Sequence, residues 1–195
     1  HPGRAFAAIA LGKYVRSIHR TPERADAGDR ASVRRALREL GQVVRDRGEQ
    51  DNLRAAALLG LGIAGSPAAA KTLREAVVEA KLDGAFTQGF AVLALTIAGE
   101  PDLALKIARS ITGDPEKLPD ARIIRERYGS SDLSVADMLG VRAMCYGLGL
   151  MKGKDAVVIL RQMVGEDLHT TQAAAHGLRM CADTSLVDPL SELLK

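Results

Sequence analysis

With 195 residues the chain is long enough to fold as one domain with a substantial core. Hydrophobic residues make up 47%, chiefly Ala, Leu and Val, while aromatics reach only 3% and Trp is absent; that balance suits helices packed through small side chains and argues against aromatic cages and base-stacking platforms. The net charge of +3 is unevenly placed: residues 1–54 hold 12 Lys/Arg against 7 Asp/Glu, and the remainder holds 15 against 17. A basic first quarter suits an acidic protein or a phosphate backbone, with an Arg-rich solvated helix face as the plainer alternative. No apolar run reaches transmembrane length, no signal peptide is present, and Cys145 and Cys181 are too few for a disulfide framework.

In chain order, RAFAAIALGKYV (4–15) reads as the first helix of a hairpin. Its partner is delayed, because Leu40 and Val44 follow Leu11 at an interval of 29 where the later units use 12. The insertion at 13–30, with Pro22, Gly28 and several charges, reads as an exposed loop or helix extension. Next comes the reference unit, LRAAALLGLGIAGSPAAAKTLREAVV (53–78). Gly65 supplies the positive φ that ends a helix, Ser66 caps the next, and Pro67 fits its first turn. A third unit occupies 85–112, with Asp83-Gly84 as the turn before it. A second insertion, 113–134, carries Ile123, Ile124 and Tyr128, whose spacing predicts an extra helix over 118–128. The fourth unit runs over 134–164 with Gly153 at the hinge, and the fifth over 168–195 with its hinge at Asp183 to Ser185. Residues 4–47 form the first unit and 53–81 the second, within a single domain over 1–195. The chain opens His-Pro-Gly and closes Leu-Leu-Lys without polar caps, and the expectation is a piece of a longer protein.

The units share two registers. Leu11, Leu61, Leu95, Leu148 and Leu178 recur at separations of 50, 34, 53 and 30, each preceded by a small residue: Ala10, Gly60, Ala94, Gly147 and Gly177. In the second helices Leu73, Ile107, Leu160 and Leu190, then Val77, Ile111, Val164 and Leu194, repeat the offsets 34, 53 and 30. Two rows with one set of offsets specify an all-α solenoid of about five helical hairpins, each burying its apolar stripe against the next. Cys145 and Cys181 fall on core positions of this pattern and are expected as buried free thiols. The insertions, one within a hairpin and one between hairpins, are expected on opposite edges of the stack.

The segments GLGIAGSPAAAKTLREAV, ALTIAGEPDLALKIARSI and GLGLMKGKDAVVILRQMV resemble HEAT-like repeats, particularly the short type first described in phycobilin lyase subunits. Tetratricopeptide repeats share the 34-residue spacing, but their proline follows the second helix, whereas Pro67 and Pro101 open it here. The resemblance implies a right-handed superhelix with second helices on its concave side and a role in protein–protein interaction. It implies no catalytic residue.

No phosphate loop, nucleophile elbow or dinucleotide fingerprint occurs, and the GxG runs at 60–62 and 147–149 sit inside helices. His169 and His176 are seven apart on one helix near Glu166 and Asp167, a poor spacing for metal; His176 also aligns with Leu59, Leu93 and Tyr146 and is expected in a core row. The His-Glu pairs of HEAT-like metal hydroxylases are absent, as is the Trp that HEAT-like DNA glycosylases use. No catalytic residue, cofactor or metal is assigned. The expected function is a protein–protein interaction scaffold, with the second-helix residues Arg38, Arg45, Lys71, Arg74, Arg109 and Arg161 as partner-binding candidates. Nucleic-acid backbone binding through the basic first quarter is the alternative, with Arg16, His19, Arg20 and Arg24 in the first insertion; a lyase-like or other enzyme role is a further one.

Overall fold

The computed structural model of the chain describes residues 3–82, 84–112, 134–164 and 168–181. Among them are nine α-helices and no strand: α1 (Gly3–Arg20), α2 (Ala27–Arg45), α3 (Asp51–Ala64), α4 (Pro67–Ala80), α5 (Ala85–Ala98), α6 (Pro101–Thr112), α7 (Val135–Met151), α8 (Lys154–Gln162) and α9 (Leu168–Met180). A short 3-10 turn, Pro22–Arg24, separates the first two. The expected helix over 118–128, the last hinge and the second helix of the fifth unit lie outside the described residues.

Turn chemistry sets the helix ends. Gly65 takes a left-handed φ of 62° after α3, and the Ser66 hydroxyl accepts the Ala69 N–H at 3.2 Å to cap α4, with Pro67 in its first turn. Gly99, at φ 79°, ends α5 in the same way before Pro101 opens α6. After α7 the pattern shifts by one residue. Lys152 occupies the left-handed position at φ 54°, and Gly153, expected at the hinge, becomes the extended residue that precedes α8.

Each helix packs on the next, and each odd-numbered helix also packs on the following odd one: α1 on α3, α3 on α5, α5 on α7 and α7 on α9. Among the even helices α2 packs on α4 and α6 on α8, whereas α4 and α6 make at most marginal contact. The odd row is held at backbone distance by glycine. A Cβ on Gly60 would lie 2.5 Å from the Ala8 carbonyl oxygen, one on Gly62 2.7 Å from that of Ala94, and one on Gly177 2.7 Å from that of Cys145. Gly12 faces Gly60, and Gly89 faces Gly140, even more tightly. The small-residue row thus has a physical basis at Gly60, Ala94, Gly147 and Gly177.

Leu61, Leu95, Leu148 and Leu178 are all buried between the rows, as are Leu40, Val44, Leu73, Val77, Ile111 and Leu160; Ile107 and Val164 are half-buried. Each fully buried Leu contributes about 1.5–3 kcal/mol. The register of α1 holds, but its outer side is more open than that of the later odd helices. Leu11 is 36% exposed and Phe6 75% exposed, while Ala8, Gly12 and Val15 are buried. Gly12 meets Gly60 as Gly62 meets Ala94 and Gly149 meets Gly177, each two residues beyond the small residue of its own helix, so Leu11 remains the counterpart of Leu61.

The first insertion is helix extension rather than loop. α1 and α2 run for 18 and 19 residues against 14 in each of α3 and α4. A capping box starts α2: Asp26 accepts the Asp29 N–H at 2.7 Å, and Asp29 accepts the Asp26 N–H at 3.2 Å. Cys145 is a buried free thiol, pushed up to about 12 by desolvation. Cys181 is only half-buried, against expectation.

Candidate functional site

The basic residues expected to meet a partner on the even helices divide into two groups. Arg45 on α2 pairs with Glu79 on α4, Arg74 on α4 pairs with Glu100 ahead of α6 at 2.5 Å, and Arg109 on α6 pairs with Asp155 on α8 at 3.2 Å. Each ion pair joins one hairpin to the next. The hydrogen bonds that Arg74 donates to the Glu100 carboxylate, and then the charge of that carboxylate, raise the Arg74 pKa above its ordinary value. Lys71 lies 3.9 Å from Glu75 within α4, and Arg38 and Arg161 are exposed on α2 and α8. Among the described residues, at least three of the six candidates are thus engaged between hairpins.

Arg16, His19, Arg20 and Arg24 are all exposed. Lys13, Arg16 and Arg20 share one side of α1, and Arg30, Arg34 and Arg38, four residues apart, form a stripe on α2. The two helices pack together, and the Tyr14 hydroxyl donates to Asp29 at 3.4 Å between them. The extended first hairpin therefore carries two basic stripes. Arg54 does not belong to them. It is 3% exposed, its Nε donates to the Val44 carbonyl near the end of α2 at 3.3 Å, and one terminal nitrogen has no hydrogen-bond partner. Its place is structural, at the junction of α2 and α3, and sequence spacing did not mark it.

The odd row presents a different face. Leu139, Arg142, Tyr146 and Leu150 recur at intervals of three, four and four along the solvent side of α7, and all are exposed. Alongside, Phe86 and Phe90 on α5 touch with ring centroids 5.0 Å apart, and Ile97 is exposed at the end of that helix. On the other side Tyr146 stacks on His176 of α9 at 5.1 Å. The row of Leu59, Leu93, Tyr146 and His176, expected in the core, is therefore half-buried or exposed. An open hollow of about 280 Å³ lies between α7 and α9, lined by Arg142, Tyr146, Gln172, Ala173 and His176. All three Phe residues and Tyr146 sit on odd helices outside the fully buried core. The sequence signal for this face was the 3-4-4 spacing on α7. It was hidden because α7 is apolar on its core side as well.

His169 is exposed near the start of α9, apart from this hollow. Among the described residues no three His, Cys, Asp or Glu side chains converge as metal ligands, and no helix is long and apolar enough to cross a membrane. No family model, no curated protein and no solved structure matches this chain.

Proposed function

We propose that the chain is a right-handed α-solenoid of about five HEAT-like hairpins that serves as a protein–protein interaction scaffold with no catalysis of its own. The observation that carries this reading is the packing order: each helix meets the next, and each odd helix meets the following odd one, as stacked hairpins do. Such stacking spends the apolar stripes and the inter-hairpin ion pairs on internal cohesion and leaves long rows of side chains outside for a partner. The second reading, phosphate-backbone binding, is favoured by one feature, the paired basic stripes on α1 and α2.

Capture experiments with the full chain separate the two. The scaffold reading predicts a protein partner that is retained after nuclease treatment and in about 200 mM salt. The alternative predicts binding to generic duplex DNA that falls steeply between about 50 and 200 mM salt and is lost when Arg30, Arg34 and Arg38 become Glu. Recovery of nucleic acid alone would overturn the scaffold.

A further inference from the structure

The face on α7 sets a recognition problem with a specific chemistry. Leu139, Tyr146 and Leu150 are exposed apolar side chains on one side of a helix, and Arg142 stands in their middle. From Leu139 to Leu150 the stripe runs about 16 Å, close to three helical turns. Large apolar side chains rarely line up on the solvent side of a helix unless something covers them. Tyr and Arg are also the residues that most often anchor protein interfaces.

Arg142 decides what the cover is. Arg45, Arg74 and Arg109 each have a carboxylate partner, whereas Arg142 makes no ion pair among the described residues. Covering Leu139 and Tyr146 strips water from the guanidinium between them, and that is costly unless a carboxylate replaces the water. A second copy of this chain meets the requirement badly. Arg142 lies near the middle of α7, so antiparallel pairing of two α7 stripes about a two-fold axis brings Arg142 against its own copy. Like charges would then be buried together.

We propose that the solvent face of α7, together with the hollow it shares with α9, docks an amphipathic α-helix of a partner protein. Its apolar residues, at i, i+4 and i+7 spacing, cover Leu139, Tyr146 and Leu150, and a central Asp or Glu pairs with Arg142. The stacked rings of Tyr146 and His176 form the wall against which an apolar anchor seats. This inference rests on the scaffold reading and names the face and the chemistry of the partner.

The test is selection of displayed helical peptides about 18 residues long, apolar on one face and fully varied at the central position of that face, on the full chain. Asp or Glu should be enriched at that position. A selected peptide should bind at least about tenfold more weakly to Arg142→Glu, and a Lys at the peptide's acidic position should restore binding to that variant. Unchanged circular dichroism of Arg142→Glu, an exposed position, shows that the loss is not unfolding. Peptides that bind Arg142→Glu normally but fail on Lys71→Glu or Arg38→Glu would overturn this face while leaving the scaffold standing. No enriched peptide would overturn the helical partner and leave the scaffold reading to the capture experiment. A dimer in sedimentation that Leu139→Glu dissolves would name a second copy as the occupant and overturn the helical partner.

Discussion

Replacing Gly60 by Leu probes the closest approach in the odd row. A Cβ at this position lies 2.5 Å from the Ala8 carbonyl oxygen, and ordinary contact begins at 3.4 Å. α1 must therefore retreat by roughly 0.9 Å before the rest of the leucine is accommodated, and a retreat there also loosens Gly12 against Gly60. Backbone cannot rotate away as a side-chain tip does, so the cost belongs near the upper end of the overpacking range, about 3 kcal/mol. Leaving glycine gains about 0.8–1.0 kcal/mol in helix propensity. The net loss is about 2 kcal/mol, or a Tm lower by about 4–8 °C for a chain of this size. Gly147→Leu, where the Cβ meets the Leu93 Cα at 2.9 Å, should behave similarly. Gly28→Ala is the milder comparison, because the nearest neighbour of its Cβ is the Asp26 Oδ1 at 3.1 Å, a side-chain atom that also caps α2, and the Tm should fall by less than in either leucine variant. Thermal unfolding by circular dichroism measures all three. If both leucine variants melt with the parent, the odd helices are not in backbone contact and the packing account fails.

Other predictions concern single side chains. Burial raises the Cys145 thiol to about 12 while Cys181 is half-exposed, so a thiol reagent at about pH 8 should label Cys181 first and Cys145 only on unfolding; equal labelling rates in native protein would contradict the burial. Lys152→Gly should stabilise by about 0.5–1 kcal/mol, because Lys152 holds the left-handed position that Gly65 and Gly99 fill elsewhere. A lower Tm for that variant would mean that the α7 end is built differently. Arg74→Ala should lower the Tm slightly at low salt and not at all at high salt, as expected of an exposed ion pair between hairpins; a loss that salt does not screen would point to packing instead.

The hinges and the hairpin order were legible because the chemistry is local. A Gly-Ser-Pro run specifies a helix stop, a cap and a helix start whatever surrounds it, and Gly65, Ser66 and Pro67 do all three. The exposure of α1 was less so. Spacing aligned Leu11 with Leu61, and the approach of Gly12 to Gly60 repeats that of Gly62 to Ala94, yet Leu11 is 36% exposed where Leu61 is buried, because burial depends on what packs against the helix and not on its register. The ion pairs left no periodic trace, since Arg45–Glu79, Arg74–Glu100 and Arg109–Asp155 are 34, 26 and 46 residues apart. The outer face of α7 was concealed for another reason. A helix in a two-row stack has a core side and a solvent side, and when both are apolar, periodicity alone does not say which is buried.

Tandem duplication of residues 51–84 tests the stacked-hairpin account most directly. The unit is 34 residues long, the same as the interval from Leu61 to Leu95, so an added copy keeps every row in phase. Gly62 of one copy would face Gly60 of the next, a junction with no side chain in the way. In a solenoid each unit touches only its neighbours, so the longer chain should fold in one transition with helicity raised in proportion and a Tm at or above the parent's. A duplicate that adds no ellipticity and is removed by brief proteolysis, leaving a core of parental size, would show a closed helical domain rather than an extensible stack.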